Sequence, residues 1–196
     1  METPNTKELQ KAVNGEKPVK YELPTLQELF GGDIQVAGKA ESLNAILNTP
    51  PPEKWIKTHP YISNYRYLPI DKVEYLLRKI FKRYRIEVRK TGMLMNSVEV
   101  TVRVHYWDIT THQMDYHDGV GACELQTSKD SGPLKMDMSN VNKGAVAMAL
   151  PIAKSVAVKD ACDHFGKIFG CDLNRKDTLA FEPDTNLIDK YKNALD

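Results

Sequence analysis

A short segment near the middle of the chain concentrates side chains that bind metal ions. Residues 105–118 contain His105, Asp108, His112, Asp115, His117 and Asp118. Imidazole and carboxylate groups are common ligands of zinc and other transition metals. One hypothesis is therefore a metal-dependent nuclease that uses four of these side chains, namely His105, Asp115, His117 and Asp118. The segment has neither an HExxH motif nor paired CxxC motifs, so solvated residues of a β-hairpin are the favoured interpretation.

The segment YHDGVGA, residues 116–122, places two glycines inside a predicted strand. It lacks the GxxxxGK[ST] pattern of a phosphate-binding loop, and its glycine spacing differs from that of dinucleotide-binding loops. Gly119 and Gly121 are two residues apart, so they lie on one face of a strand. That spacing favours a bulge or a position where another backbone segment comes close. We interpret the segment as strand architecture and not as a reaction centre.

Positive charge is concentrated in one block of the chain. Residues 50–107 contain 12 lysines and arginines against 5 acidic residues, although the net charge of the whole chain is only +1. A local basic patch can bind a polyanion even when the protein as a whole is nearly neutral. Aromatic residues are interleaved with these cations, and they are Trp55, Tyr61, Tyr65, Tyr67 and Tyr84. Cations suit phosphates and aromatic rings suit unpaired bases, although a solvated charged face explains the composition equally well.

The elements around this block predict an α+β fold. Residues 69–83 are expected to form an amphipathic helix, because apolar residues recur there at helical spacing. Three antiparallel strands follow, over residues 84–90, 97–107 and 114–125, and the second alternates strictly between valine and polar residues. Arg85, Arg89 and Arg103 would then share the solvent-exposed face of this sheet.

A polar loop at residues 127–141 precedes a long helix, predicted over residues 143–169. The helix face toward the sheet is expected to consist of Leu150, Ala153, Ala157, Ala161, Phe165 and Ile168. Pro151 predicts either a kink or a second helix that begins there, and Gly170 is the predicted end. Lys154 falls beside the apolar stripe. Either its side chain extends far enough to reach solvent or an anion, or the interruption at Pro151 turns the residue outward.

Composition places limits on the cellular setting. Three cysteines without CxxC spacing favour free thiols in a reducing compartment. No run of 18 apolar residues occurs and the first residues are polar, so we expect neither a membrane span nor a signal peptide, and a cytoplasmic location. We expect residues 1–54 to be a flexible extension with short helices, residues 55–177 one domain, and residues 178–196 a tail.

The second and third strands and the final helix together resemble the single-strand annealing proteins of homologous recombination. The matching segments are Val102-Arg103-Val104, Tyr116-His117-Asp118, Val120-Gly121, and Ala161, Phe165, Gly166 and Gly170 of the helix. That family includes the ring-forming eukaryotic mediator of double-strand-break repair and many phage proteins, and WIKTHPYISNYRYLPI looks most like the phage branch. The resemblance covers residues 55–177. It implies a β-β-β-α core preceded by a helix and assembled into an oligomeric ring or spiral.

The resemblance also implies what the protein binds. It implies ATP-independent binding of single-stranded DNA and annealing of complementary strands, without enzymatic catalysis, cofactor or metal. The implied partners are single-stranded DNA, the annealed duplex and further copies of the chain, with a host single-strand-binding protein or a phage exonuclease as additional candidates. A nucleic-acid-binding accessory that does not anneal strands is the alternative on the same scaffold.

Individual DNA contacts follow partly from the resemblance and partly from charge. The family has two adjacent basic residues on the final helix, and these positions correspond to Lys159 and Asp160; a further family cation corresponds to Asp163. Another basic residue of the family falls near residues 55–59, where Lys57 or His59 takes its place. Charge and position add Arg85, Arg89, Arg103, Lys154 and Lys167 as expected contacts.

Overall fold

The computed structural model describes residues 24–60, 62–128 and 138–195. The elements in chain order are α1 (Leu26–Leu29), α2 (Ile34–Leu47), β1 (Lys57–Thr58), β2 (Arg66–Tyr67), α3 (Ile70–Ile80), β3 (Tyr84–Leu94), β4 (Ser97–Asp108), β5 (Gln113–Glu124), α4 (Ala145–Asp163) and α5 (Thr185–Asn193). Short 3₁₀ turns lie at Glu53–Trp55, Met138–Asn140 and Lys167–Phe169. Within these ranges no helix is long and apolar enough to cross a membrane.

The alternating strand β4 is the centre of a three-stranded antiparallel sheet in the order β3-β4-β5. Val98, Val100, Val102 and Val104 are buried on one face, as their spacing of two requires. The predicted α+β class and the three-stranded meander are therefore confirmed. β3 is longer than predicted, and its register with β4 shifts between Val88 and Lys90, which is a β-bulge.

Helix α4 lies across β4 and β5, and the two glycines of β5 allow it to come close. A Cβ atom on Gly119 would overlap the carbonyl oxygen of Ala157, and one on Gly121 would overlap that of Ala153. The prediction that these glycines mark a close approach of another backbone segment is confirmed. On the helix side the contact is made by small residues, which are the buried Ala149, Ala153, Ala157 and Ala161. Leu150, predicted to face the sheet, is instead exposed, because the buried stripe runs through Ala149.

The final helix is shorter than predicted. α4 ends at Asp163 and not at Phe169, and it continues through Pro151 without dividing into two helices. Gly166 has a φ of 131° and Gly170 has a φ of 101°, so the chain between them leaves the helical path and forms a 3₁₀ turn. This turn inserts Phe169 into the core beside Phe165, with 5.1 Å between the ring centres.

Helix α3 closes one end of the core with the predicted apolar stripe. Val73, Leu76, Leu77 and Phe81 are buried, and Ile80 is partly buried. The helix ends at Ile80, earlier than predicted, because Lys82 adopts a left-handed conformation with φ of 59°. The turn brings the Phe81 ring to 4.5 Å from the ring of Phe165.

Part of the predicted N-terminal extension belongs to this folded unit. Residues 34–47 form one helix, capped by the side chain of Asp33 and ending in the buried Leu47. Gly38 of α2 contacts Tyr191 of α5, and the carboxylate of the buried Glu41 accepts a hydrogen bond of 2.7 Å from the backbone N–H of Asp184. The predicted tail therefore contains a helix, α5, which packs on α2. Residues 1–23 and most of the predicted polar loop, residues 129–137, lie outside the described residues.

Candidate nucleic-acid interface

Three of the eight predicted DNA contacts lie together at one end of α4. The hairpin β1–β2 pairs Lys57 with Tyr67 across its two strands. The ammonium of Lys159 lies 5.0 Å from the centre of the Tyr67 ring, which is cation–π distance. The His59 ring lies 6.2 Å from the rings of both Tyr65 and Tyr67. We call Lys57, His59, Tyr67 and Lys159 the hairpin site.

The hairpin site combines a solvated cation with a partly desolvated one. Lys57 is exposed, and it has no ion-pair partner among the residues that the structure describes. Burial lowers the pKa of the Lys159 ammonium, and the nearby charge of Asp163 opposes that effect. A desolvated ammonium held over an aromatic ring interacts more strongly with a phosphate than a freely hydrated one, because water screens the charge less.

Two acids stand beside Lys159 where the resemblance has cations. Asp160 is the next residue in α4, and Asp163 follows one turn after Lys159. Loss of hydration, then the neighbouring charge of Asp160, raises the pKa of Asp163 to about 6. The position at the C-terminal end of a helix also disfavours a negative charge. The local field at neutral pH is therefore weaker than the basic pair of the family would give.

The predicted arginines of the sheet do share its open face, but carboxylates pair with all three. Arg85 and Arg89 both contact Glu87, at 3.2 Å and 2.9 Å. Hydrogen bonds from His105 and then from Arg89 lower the pKa of Glu87 to about 2, so its charge persists at any ordinary pH. These guanidinium groups are less available to phosphate than the sequence suggested.

Arg103 makes the tightest of these pairs. Its guanidinium donates two hydrogen bonds of 2.7 Å to the two carboxylate oxygens of Asp118, and it lies 3.7 Å from the centre of the Tyr116 ring. Asp118 faces Arg103 directly across β4 and β5, since the register pairs them. A bidentate pair of this kind is a fixed structural unit that a phosphate would have to displace.

The two remaining predicted contacts differ in their availability. Lys154 is exposed on α4, and because the helix continues unbroken through Pro151, no interruption of the helix turns it outward. The Lys167 ammonium is mostly covered; it donates to the backbone carbonyl of Leu179 and lies 3.6 Å from Asp172. Lys167 therefore holds the segment that leads to α5. Whether either lysine contacts DNA stays a prediction.

The metal hypothesis fails on the geometry of its four side chains. His105 and Asp118 project from the open face of the sheet, whereas Asp115 and His117 project from the face that carries the core, because β5 alternates. His117 packs 5.2 Å from the Tyr106 ring, and burial lowers its pKa. No group of three or more metal-binding side chains occurs in the part of the chain that the structure describes.

Sequence reasoning missed a second aromatic and basic surface. Tyr75 of α3 is 48% exposed, and its ring meets that of Trp55 edge to face at 5.7 Å. Lys72 and Lys79 belong to the same exposed stripe of the helix. A tyrosine three residues after one lysine and four before the next was the available signal, since helical residues at those spacings are neighbours.

Searches of the sequence against models of protein families and against curated proteins found no match.

Proposed function

We propose that this protein binds single-stranded DNA and anneals complementary strands without ATP, as an oligomer, in homologous recombination. The observation that supports this most directly is the convergence of Lys57, His59 and Lys159 around Tyr67. These residues come from two segments about 100 positions apart in sequence, and they meet on a β-β-β-α core. The three-stranded antiparallel sheet with its C-terminal helix also supports the proposal, because the family resemblance implies such a core.

The chemistry of the hairpin site is suited to holding a strand and not to reacting with it. Lysine ammonium groups bind phosphates, and each phosphate contact releases a condensed counterion. A strand held in an extended form loses part of its conformational entropy before it meets its complement, which lowers the ordering cost of pairing. Base pairing then supplies the sequence recognition, so the protein itself needs no contacts to particular bases.

Exposed apolar surface supports the oligomeric part of the proposal. Large apolar side chains are exposed at the start of α4 and in the β3–β4 hairpin; they are Val146, Met148, Leu150, Ile152, Met93, Leu94 and Met95. Contiguous apolar surface on a soluble protein commonly marks an interaction site. A ring of subunits would also place many weak hairpin sites along one strand and raise the overall affinity.

The test is annealing of two complementary dye-labelled oligonucleotides without ATP, combined with a mass measurement of the protein with and without DNA. Faster annealing by a large oligomer is the expected result. Tight binding of single strands with slowed annealing would favour the accessory function, because a simple coating protein blocks pairing. Failure to bind single strands at moderate salt would overturn the proposal.

A further inference from the structure

The exposed face of α3 carries a stripe in which an aromatic ring stands between two lysines. Lys72, Tyr75 and Lys79 fall within a narrow arc of the helix, since three and four residues correspond to about one turn. About 10.5 Å of helix separates the first lysine from the second, at 1.5 Å per residue. A nucleotide whose base lay on the central ring would thus have a cation on either side of it.

The Tyr75 ring is held by a contact with a second aromatic ring. Trp55 meets it edge to face, with an angle of 87° between the ring planes, and the Lys72 ammonium lies 5.9 Å from the centre of the Trp55 ring. Such a contact fixes the orientation of an aromatic side chain that is otherwise half exposed. The exposed part of the Tyr75 ring is therefore a preorganised surface.

The cations of this stripe are only partly neutralised. Lys72 pairs with Asp71 at 2.8 Å. Lys79 is exposed, and it makes no ion pair within the ranges that the structure describes. The stripe also adjoins the hairpin site, because Trp55 precedes Lys57 by two residues.

We propose that Tyr75 stacks on an unpaired base of the bound strand while Lys72 and Lys79 contact the phosphates on either side of it. This inference rests on the proposed function and extends the binding path from the hairpin site onto α3. A stacking surface accepts any base, because every base has a π face, and so it suits a protein that leaves sequence recognition to pairing.

The experiment compares two ligands of equal length, an oligo-dT strand and an abasic strand with the same sugar–phosphate backbone. Tyr75→Leu removes the ring and keeps an apolar side chain against Trp55, whereas Tyr75→Phe keeps the ring and is the matched control. Fluorescence anisotropy should show that Tyr75→Leu weakens oligo-dT binding about 5- to 100-fold. Its binding to the abasic strand should stay within about twofold of wild type, and Tyr75→Phe should bind both ligands like wild type.

Lys79→Ala provides a second readout that does not alter the aromatic pair. This substitution should weaken the binding of both ligands equally. It should also reduce the slope of log affinity against log salt concentration by about 0.7. If Tyr75→Leu lost the same affinity for both ligands, or lost no affinity for oligo-dT, the stacking role would be overturned and the proposed function would remain intact. Failure of the wild-type protein to bind either ligand would overturn both.

Discussion

The carboxylate of Asp160 in α4 accepts a hydrogen bond of 2.9 Å from the backbone N–H of Val120 in β5. β5 is an edge strand, so this N–H points away from the sheet and has no strand partner on that side. The contact ties the helix to the strand at the point where Gly119 and Gly121 bring them together. A lysine or arginine at position 160 could not accept this bond, which gives the acidic residue a structural role.

Substitutions of Asp160 should separate its hydrogen bond from its charge. Asp160→Asn keeps an acceptor oxygen and removes a negative charge beside Lys159, so we expect tighter single-strand binding with little change in stability. Asp160→Ala loses the acceptor, and the free energy of unfolding should fall by about 1 kcal/mol. Urea unfolding and fluorescence anisotropy measure the two effects. Equal destabilisation by Asn and Ala would show that the acceptor is not what holds the strand.

Lys159→Ala should weaken single-strand binding at moderate salt. Loss of one phosphate contact should reduce the salt slope by about 0.7. Lys190→Ala on α5 removes the same charge from an exposed position that is not part of the hairpin site, and it serves as the control, with an unchanged slope. A slope for Lys159→Ala equal to that of wild type would show that Lys159 does not touch phosphate.

An alanine in place of Gly119 should destabilise the fold strongly. Its Cβ would overlap backbone atoms of Ala157 and Ala161, which cannot move without shifting α4. We expect the free energy of unfolding to fall by about 3 kcal/mol, the upper end of overpacking effects. At Gly92 an added Cβ would meet only the flexible side chain of Glu99, so Gly92→Ala should change stability by less than about 1 kcal/mol. Similar effects at both positions would contradict the close contact.

A glycine in place of Lys82 should stabilise the protein. Lys82 is exposed with φ of 59°, a conformation that glycine adopts without steric cost. We expect the free energy of unfolding, measured by chemical denaturation, to rise by about 0.5–1 kcal/mol. This value allows for the greater entropy of the unfolded chain with glycine at this position. Lys79→Gly, inside α3, should instead cost about 1 kcal/mol. Destabilisation by Lys82→Gly would mean that the lysine side chain makes a contact that outweighs the relief of strain.

Protonation of Asp163 should make stability depend on pH. Its pKa in the folded protein, about 6, lies above its ordinary value of 3.8, so the folded state binds the proton more tightly. The resulting stabilisation is complete below pH 3.8 and is lost as the pH rises through about 6. Part of Asp163 is open to solvent, which reduces the size of the effect and not its direction.

The Asp163→Asn variant tests this assignment. It should be more stable than wild type at pH 7.5, and the difference should shrink toward pH 4.5, as followed by urea unfolding at each pH. NMR titration of the Asp163 carboxyl provides a direct check. A difference between variant and wild type that is constant across this range would rule out titration of Asp163 as the cause.

Periodicity in the sequence determined the elements and their buried faces. Valine at every second position from Val98 to Val104 can be buried on only one side of a strand, and the stripe from Val73 to Phe81 can face the core only as a helix. Gly119 and Gly121 could be predicted as a close contact because a missing side chain at a spacing of two leaves room on one face. These inferences depend on local geometry, which is the same in every fold.

Tertiary structure decided which of the basic side chains are available to bind a phosphate. The sequence placed Arg85, Arg89 and Arg103 on one face, and the same alternation puts Glu87 beside Arg85 and Arg89, but only the strand register brings Asp118 to pair with Arg103. The early end of α4 likewise depends on the change of chain direction at Gly166. Lys159 lies over Tyr67 only because α4 packs against the hairpin. An ion pair between strands depends on distances between residues far apart in the chain, whereas periodicity reports only on neighbours. The sequence alone therefore predicts where cations lie on an element but not whether another element neutralises them.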